Sequence, residues 1–208
     1  MKKKPSKPTK PFGTINFSSS GKVKKVMHQL SPEKEKQELE AFYRFISKFN
    51  KKYAPESLHM VEQLDENGHD FLASINGAKI EIQLTEIVSR DWLIEIDKKE
   101  YNSGKYNYYS HRIDSDIPYA IDMMKKINAL KKAISKKHEK FYAKCSHPLW
   151  LIVFTTDTSY LTEYWEDTEK TIPRSLILAR QYCSTLQNDL TFNQIWFTNL
   201  LTNPVRVF

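Results

Sequence analysis

The dipeptide Asn76-Gly77 constrains the fold of this chain more than any other short feature. Both central residues of a type I′ turn have positive φ, and Asn followed by Gly is the pair that tolerates this conformation best. The segments HDFLASI before it and AKIEIQLTEI after it alternate between apolar and polar side chains. They therefore predict a β-hairpin whose two-residue turn places Leu72 opposite Glu81.

The alternation gives the two faces of this hairpin different roles. The predicted core face carries Phe71, Ala73, Ile75, Ala78, Ile80, Ile82 and Leu84. On the polar face Asp70 and Glu81 are diagonal neighbours, within reach of one common ligand. Mg²⁺ takes oxygen ligands from one or two carboxylates, and a bound metal can activate water against a phosphodiester. An ordinary hairpin with one solvated face shows the same pattern, so the pattern alone leaves both interpretations open.

Asp70, followed eleven residues later by Glu81-Ile82-Gln83 on the next strand, resembles the PD-(D/E)xK, or restriction-endonuclease-like, nuclease superfamily. The resemblance implies that Asp70 and Glu81 bind Mg²⁺ or Mn²⁺ and that the backbone carbonyl of Ile82 completes the metal shell. It also implies that Gln83 orients the attacking water. The expected function is a metal-dependent phosphodiesterase acting on DNA or RNA.

The superfamily places a helix before this hairpin, and that helix often brings a further glutamate. Here a helix is predicted from Ser31-Pro32-Glu33 to about Lys52, because Ser is a good N-cap and Pro suits the first helical position. Glu38 and Glu35 each extend the apolar stripe of this helix. Glu38 is the favoured site residue and Glu35 is the alternative, although either can also be a solvated glutamate. Glu86 is out of phase with Glu81 and is interpreted as structural or as a support for the site.

The sequence departs from the superfamily pattern at two positions. His69 precedes Asp70 where a proline is usual, and Gln83 stands where the pattern has a lysine. A lysine would supply positive charge near the reacting phosphate, whereas Gln83 supplies only a dipole. Lys79, on the same face, is the candidate substitute. The alternative interpretations are an inactive nuclease-fold protein that binds nucleic acid or a protein partner, and an interaction module without a metal site.

The order of predicted elements is a helix, a three-stranded meander, a long helix, a buried strand, a helix and a strand. The long helix is expected over about 116–142, and the apolar run at 149–154 is expected to be a strand buried on both faces. A helix beginning near Pro173 and a strand at 195–197 complete the pattern. This order predicts an α/β fold, a central mixed β-sheet flanked by helices, of the restriction-endonuclease-like kind.

The net charge of +7 belongs to one end of the chain. Residues 1–25 hold eight lysines and no acid, which leaves 24 basic and 25 acidic residues, or −1, in the remainder. We expect residues 1–25 to be a basic disordered tail and residues 26–208 to be a single domain. The tail can attract phosphates or simply keep the chain in solution. The segment 91–116 interleaves cations with tyrosines, a composition that suits both nucleic-acid binding and an ordinary surface loop.

Two further features of the sequence concern membrane association and the redox compartment. No apolar run reaches the ~18 residues of a transmembrane helix, so no membrane partner is expected. The two cysteines, Cys145 and Cys183, have no metal-like spacing and suit a reducing, cytoplasmic compartment. The resemblance leaves a homodimer open, since many nucleases of this kind act as dimers.

Overall fold

The computed structural model describes residues 12–17, 23–28, 30–31, 33–64, 69–87, 119–140, 145–156, 174–186, 190–200 and 203–208. In chain order the elements are β1 Phe12–Phe17, β2 Val23–His28, α1 Lys34–Lys52, β3 Leu58–Gln63, β4 Phe71–Ile75, β5 Ala78–Glu86, α2 Tyr119–His138, β6 Leu149–Phe154, α3 Arg174–Thr185, β7 Gln194–Thr198 and β8 Val205–Arg206. From α1 onward this is the predicted order of helices and strands, so the α/β class is confirmed.

Six strands form one mixed sheet in the order β3-β4-β5-β6-β7-β8. The strands β3, β4 and β5 are an antiparallel meander, whereas β5, β6 and β7 are parallel to one another and β8 is antiparallel to β7. Every residue of β6 is buried, as predicted for a central strand covered on both faces. The central mixed sheet is therefore confirmed.

The β4–β5 hairpin has the predicted register. Asn76 and Gly77 have φ values of 50° and 84°, as a type I′ turn requires, and Leu72 pairs with Glu81. Five of the seven predicted core residues are buried, namely Phe71, Ala73, Ile80, Ile82 and Leu84. Ile75 is only partly buried and Ala78 is exposed, because this pair lies next to the turn at the end of the hairpin.

Helices cover both faces of the sheet. The phenylalanines of α1 (Phe42, Phe45 and Phe49) pack with Ile82, Leu84 and the even-numbered residues of β6. On the other face Leu130 and Ile134 of α2 and Ala179 of α3 pack with the odd-numbered residues of β6. The helix α1 begins later than predicted, since Glu33 flanks it and the Ser31 hydroxyl accepts the Glu33 N–H at 3.2 Å. The part of β5 that extends beyond its pairing with β4, here called the hairpin edge, thus lies between α1 and α2.

The N-terminal region contains a second, two-stranded sheet. Strands β1 and β2 pair antiparallel, with Phe12 opposite His28 and Phe17 opposite Val23. Aromatic and β-branched residues in both segments favour strands, and a Ser-rich, Gly-containing link joins the two segments in the sequence. The division into a tail and a domain at residue 25 stays a prediction.

The segment 91–116, with its mixture of cations and tyrosines, lies outside the described residues, as does the rest of 88–118. Of the helices that the structure does describe, none is long and apolar enough to cross a membrane.

Candidate functional site at the hairpin edge

Asp70 continues the hairpin one residue beyond β4. Its backbone N–H donates to the Ile82 carbonyl at 2.9 Å. Its carboxylate oxygen Oδ2 accepts the Leu84 N–H at 2.5 Å and the side-chain amide of Gln83. The end of β4 leaves the Leu84 N–H without a strand partner on this side, and the carboxylate of Asp70 satisfies it. The structure therefore brings Asp70 and Gln83 together, at the open edge of β5.

Charged side chains of α1 and α2 lie near Asp70, on the two faces of the sheet. Burial raises the pKa of Asp70, although the Leu84 N–H and the positive charge of Lys137 oppose this. The pKa of Glu38 is also raised, first by burial and then by the negative charge of Asp70. Lys34, whose Nζ lies 3.5 Å from Glu38 Oε1, opposes this rise. Burial lowers the pKa of Lys137 to about 8 against the opposing charges of Asp70 and Glu38. Such perturbed groups cluster at functional sites.

A third carboxylate borders this group. Glu86, at the end of β5, is partly buried, and its Oε2 accepts the Gln37 side-chain amide at 3.0 Å. Burial raises the pKa of Glu86 to about 7, the hydrogen bond from Gln37 opposes this rise, and the charge of Glu38 adds to it. Glu38 thus interacts with the charges of Asp70, Lys137 and Glu86, and it links Glu86 to the group around Asp70. The hydrogen bond from Gln37 of α1 fits the structural or supporting role predicted for Glu86. The sequence did not predict the electrostatic interaction of Glu86 with Glu38.

Glu81 lies in a second group of side chains. Its Oε1 accepts the N–H groups of Ser146 and His147 at 3.1 and 3.2 Å. Its Oε2 lies 2.8 Å from His69 Nε2, and His69 Nε2 lies 3.6 Å from Cys145 Sγ. One ligand atom from each of His69, Glu81 and Cys145 falls within 4.8 Å of the others, so these three residues could hold a metal ion. The hairpin therefore contributes to two adjacent groups, linked by the neighbours His69 and Asp70.

The remaining predicted site residues lie around these two groups. The Ile82 carbonyl, a predicted metal ligand, accepts the Asp70 N–H in the strand ladder. Lys79 is exposed and pairs with Ser74 near the turn. Glu35, the alternative to Glu38, is exposed on α1, which favours Glu38 as the residue near Asp70. The roles assigned to these residues stay predictions.

Sequence reasoning missed three of the residues in these groups. Lys137 is one of many lysines on α2, and helical periodicity does not indicate which lysine faces the hairpin edge. Cys145 and His69 lie 76 residues apart, so no short-range metal spacing could indicate their proximity. The histidine in place of the usual proline, at the position before Asp70, was the only local signal.

No family model matches this chain, and no curated protein matches it either. Among solved structures, that of Pyrococcus furiosus SfsA in complex with Ca²⁺ is similar over 93% of this chain and 74% of that chain. The sequence identity is 11% and the TM-score is 0.29. A similarity of this degree says nothing about chemistry, so the two groups of residues have to be interpreted from their own geometry.

Proposed function

We propose that this protein is a metal-dependent phosphodiesterase of the PD-(D/E)xK type that acts on nucleic acid. The observation that supports the proposal is the convergence of Asp70, Glu38 and Lys137 at the open edge of the hairpin. Carboxylates from a strand end and from a flanking helix, with a lysine opposite, are the groups that metal-dependent hydrolysis of a phosphodiester needs.

The residues at this edge fit a hard divalent cation. Asp70 and Glu38 offer carboxylate oxygens, the ligands that Mg²⁺ and Mn²⁺ take in proteins. Their raised pKa values show that burial outweighs the compensating charge nearby, and a divalent cation would supply the missing charge. When bound, Mg²⁺ would neutralise charge on the phosphodiester and lower the pKa of an attacking water. Glu81 and the Ile82 carbonyl stay predicted ligands of the same ion, although both have other partners in this structure.

Two further side chains would act on the substrate directly. The Gln83 amide donates a hydrogen bond to Asp70, and we propose that it would orient an attacking water. Lys137 would hold positive charge beside the phosphate, the role that lysine has in the ExK element, because it is partly buried and interacts with the charge of Asp70, whereas Lys79 is exposed. With a pKa of about 8, Lys137 carries its charge at neutral pH and loses it at mildly alkaline pH.

One observation favours an inactive relative of such nucleases as the second candidate. The Gln83 amide donates to Asp70 Oδ2, the same oxygen that accepts the Leu84 N–H, so one carboxylate oxygen is already occupied from two sides. A protein of this kind would bind nucleic acid, or a protein partner, without cleaving it. The lysines in residues 1–25 would strengthen binding to phosphates in either case. A homodimer stays a prediction.

A cleavage assay separates these two candidates. The wild-type protein, Asp70→Asn and the matched control Glu62→Gln, an exposed carboxylate on β3, are incubated with plasmid DNA, single-stranded DNA and structured RNA in Mg²⁺. We expect cleavage by the wild type and Glu62→Gln and a loss of at least ~100-fold in Asp70→Asn, which keeps the size of the side chain. Equal cleavage by a folded Asp70→Asn protein would overturn the proposal. Metal-independent binding without cleavage by the wild type would support the second candidate.

A further inference from the structure

The group formed by His69, Glu81 and Cys145 combines three different ligand atoms. Imidazole nitrogen, carboxylate oxygen and thiolate sulfur are together the donor set of zinc sites, whereas Mg²⁺ prefers oxygen alone. We propose that these three residues form a binding site for Zn²⁺ or a similar divalent transition metal, separate from the Mg²⁺ site at Asp70 and Glu38. In this proposal Glu81 binds the transition metal instead of the Mg²⁺ ion for which the sequence predicted it. The inference does not rest on the proposed nuclease activity.

The distances in this group are close to those that a tetrahedral ion imposes. With Zn–S near 2.3 Å and Zn–N near 2.0 Å, tetrahedral ligands place N and S about 3.5 Å apart and N and O about 3.3 Å apart. His69 Nε2 lies 3.6 Å from Cys145 Sγ and 2.8 Å from Glu81 Oε2. Binding would need His69 and Glu81 to separate by about half an ångström on these bond lengths. The ligand atoms of Glu81 and Cys145, which lie within 4.8 Å of each other, would come to about 3.5 Å apart. Three protein ligands leave a fourth position for water.

The segment before β6 holds Glu81 in a fixed orientation. The Glu81 N–H donates to the Pro148 carbonyl at 2.9 Å, and Glu81 Oε1 accepts the N–H groups of Ser146 and His147. These bonds leave Oε2 directed at His69 and Cys145, the residue that begins the same segment. Such surrounding bonds orient a metal-ligating side chain before the metal arrives.

The carboxylate of Glu81 is buried beside His69. Glu81 is only 7% exposed, the side chain of His69 is only 10% exposed, and Glu81 Oε2 lies 2.8 Å from His69 Nε2. Burying a charged carboxylate is costly unless positive charge or hydrogen bonds compensate it. A metal ion held by both side chains would supply positive charge at this point.

Co²⁺, which gives a thiolate-to-metal charge-transfer band, tests this site directly. The full-length protein is titrated with Co²⁺ as the wild type, as Cys145→Ser and as Cys183→Ser, which removes a buried thiol on α3 that is not one of the three proposed ligands. We expect a band that saturates at one equivalent in the wild type and Cys183→Ser, that Zn²⁺ displaces, and that Cys145→Ser loses. A folded wild type without the band, or a band that persists in Cys145→Ser, would overturn the proposal.

A second measurement needs no variant and so does not depend on whether one folds. Cys145 is partly exposed and open to alkylation, whereas Cys183 is buried and serves as an internal reference. We expect a saturating amount of Zn²⁺ to slow iodoacetamide labelling of Cys145 at least tenfold, and Mg²⁺ to leave it unchanged. Labelling of Cys145 at the same rate with and without Zn²⁺ would contradict the site. Asp70→Asn should keep this protection even if it loses all cleavage, which separates the failure of one proposal from that of the other.

Discussion

Replacement of Glu86 by glutamine should remove much of the pH dependence of this protein's stability. Burial raises the pKa of Glu86 to about 7, against 4.5 for an ordinary glutamate. A raised carboxyl pKa means that the folded protein binds the proton more tightly than the unfolded chain does. The stabilisation is therefore complete below pH 4.5 and is lost as the pH rises through 7. At ~1.4 kcal/mol for each pH unit, the loss by pH 8 is about 3 kcal/mol.

Glutamine preserves the size of the side chain and an oxygen that can accept the Gln37 amide, but it has no charge to bury. Glu86→Gln should thus be close to the wild type in stability at pH 5 and more stable by up to about 3 kcal/mol at pH 8. Asp70 and Glu38 also have raised pKa values, and they contribute the same trend to both proteins. Lys137, with a pKa lowered to about 8, changes charge mostly above this window.

Urea denaturation followed by the fluorescence of Trp150 and Trp196, both buried, measures this difference at each pH. The control Glu62→Gln removes an exposed carboxylate and should leave the pH dependence of the wild type unchanged. If Glu86→Gln instead lost as much stability as the wild type between pH 5 and pH 8, Glu86 would be ionised without cost in the folded protein.

Three further predictions concern the site, the turn and the core. Lys137→Met should reduce Mg²⁺-dependent cleavage at least ~10-fold with little change in folding. The control Lys136→Met, at an exposed position, should leave the cleavage rate unchanged. Equal cleavage rates for the two variants would exclude Lys137 from the site. Gly77→Ala should destabilise the protein by about 1 kcal/mol in urea denaturation, because φ is 84° there, and an unchanged midpoint would contradict the type I′ turn. Phe45→Ala should cost about 3–5 kcal/mol because the ring is fully buried, whereas Tyr43→Ala, half exposed on the same helix, should cost far less.

The parts of the fold that sequence reasoning predicted are those with strong local signals. Asn76-Gly77 determined the hairpin register, since a two-residue turn allows only one pairing of the flanking strands. The uninterrupted apolar run of β6 similarly indicated burial on both faces. The pairing of β1 with β2 was missed because lysines and prolines around these strands dominate the composition of the region.

The arrangement of the site depends on contacts between distant segments, which no local pattern encodes. Asp70 and Glu81 lie on one hairpin, yet Asp70 contacts Gln83 and Leu84 while Glu81 contacts the segment before β6. That segment is positioned by the parallel pairing of β5 with β6, which follows a long intervening stretch of chain. The same pairing brings Cys145 to His69, and the packing of α2 brings Lys137 to Asp70.

Mn²⁺ titration calorimetry measures whether the carboxylates at the hairpin edge bind a divalent cation. The proteins compared are the wild type, Asp70→Asn and Glu62→Gln, and Zn²⁺-loaded protein and Cys145→Ser separate the two proposed metal sites. We expect Mn²⁺ binding by the wild type, Glu62→Gln and Cys145→Ser, and none by a folded Asp70→Asn. Mn²⁺ binding that is unchanged in Asp70→Asn, or absent from the folded wild type, would exclude a cation site at Asp70.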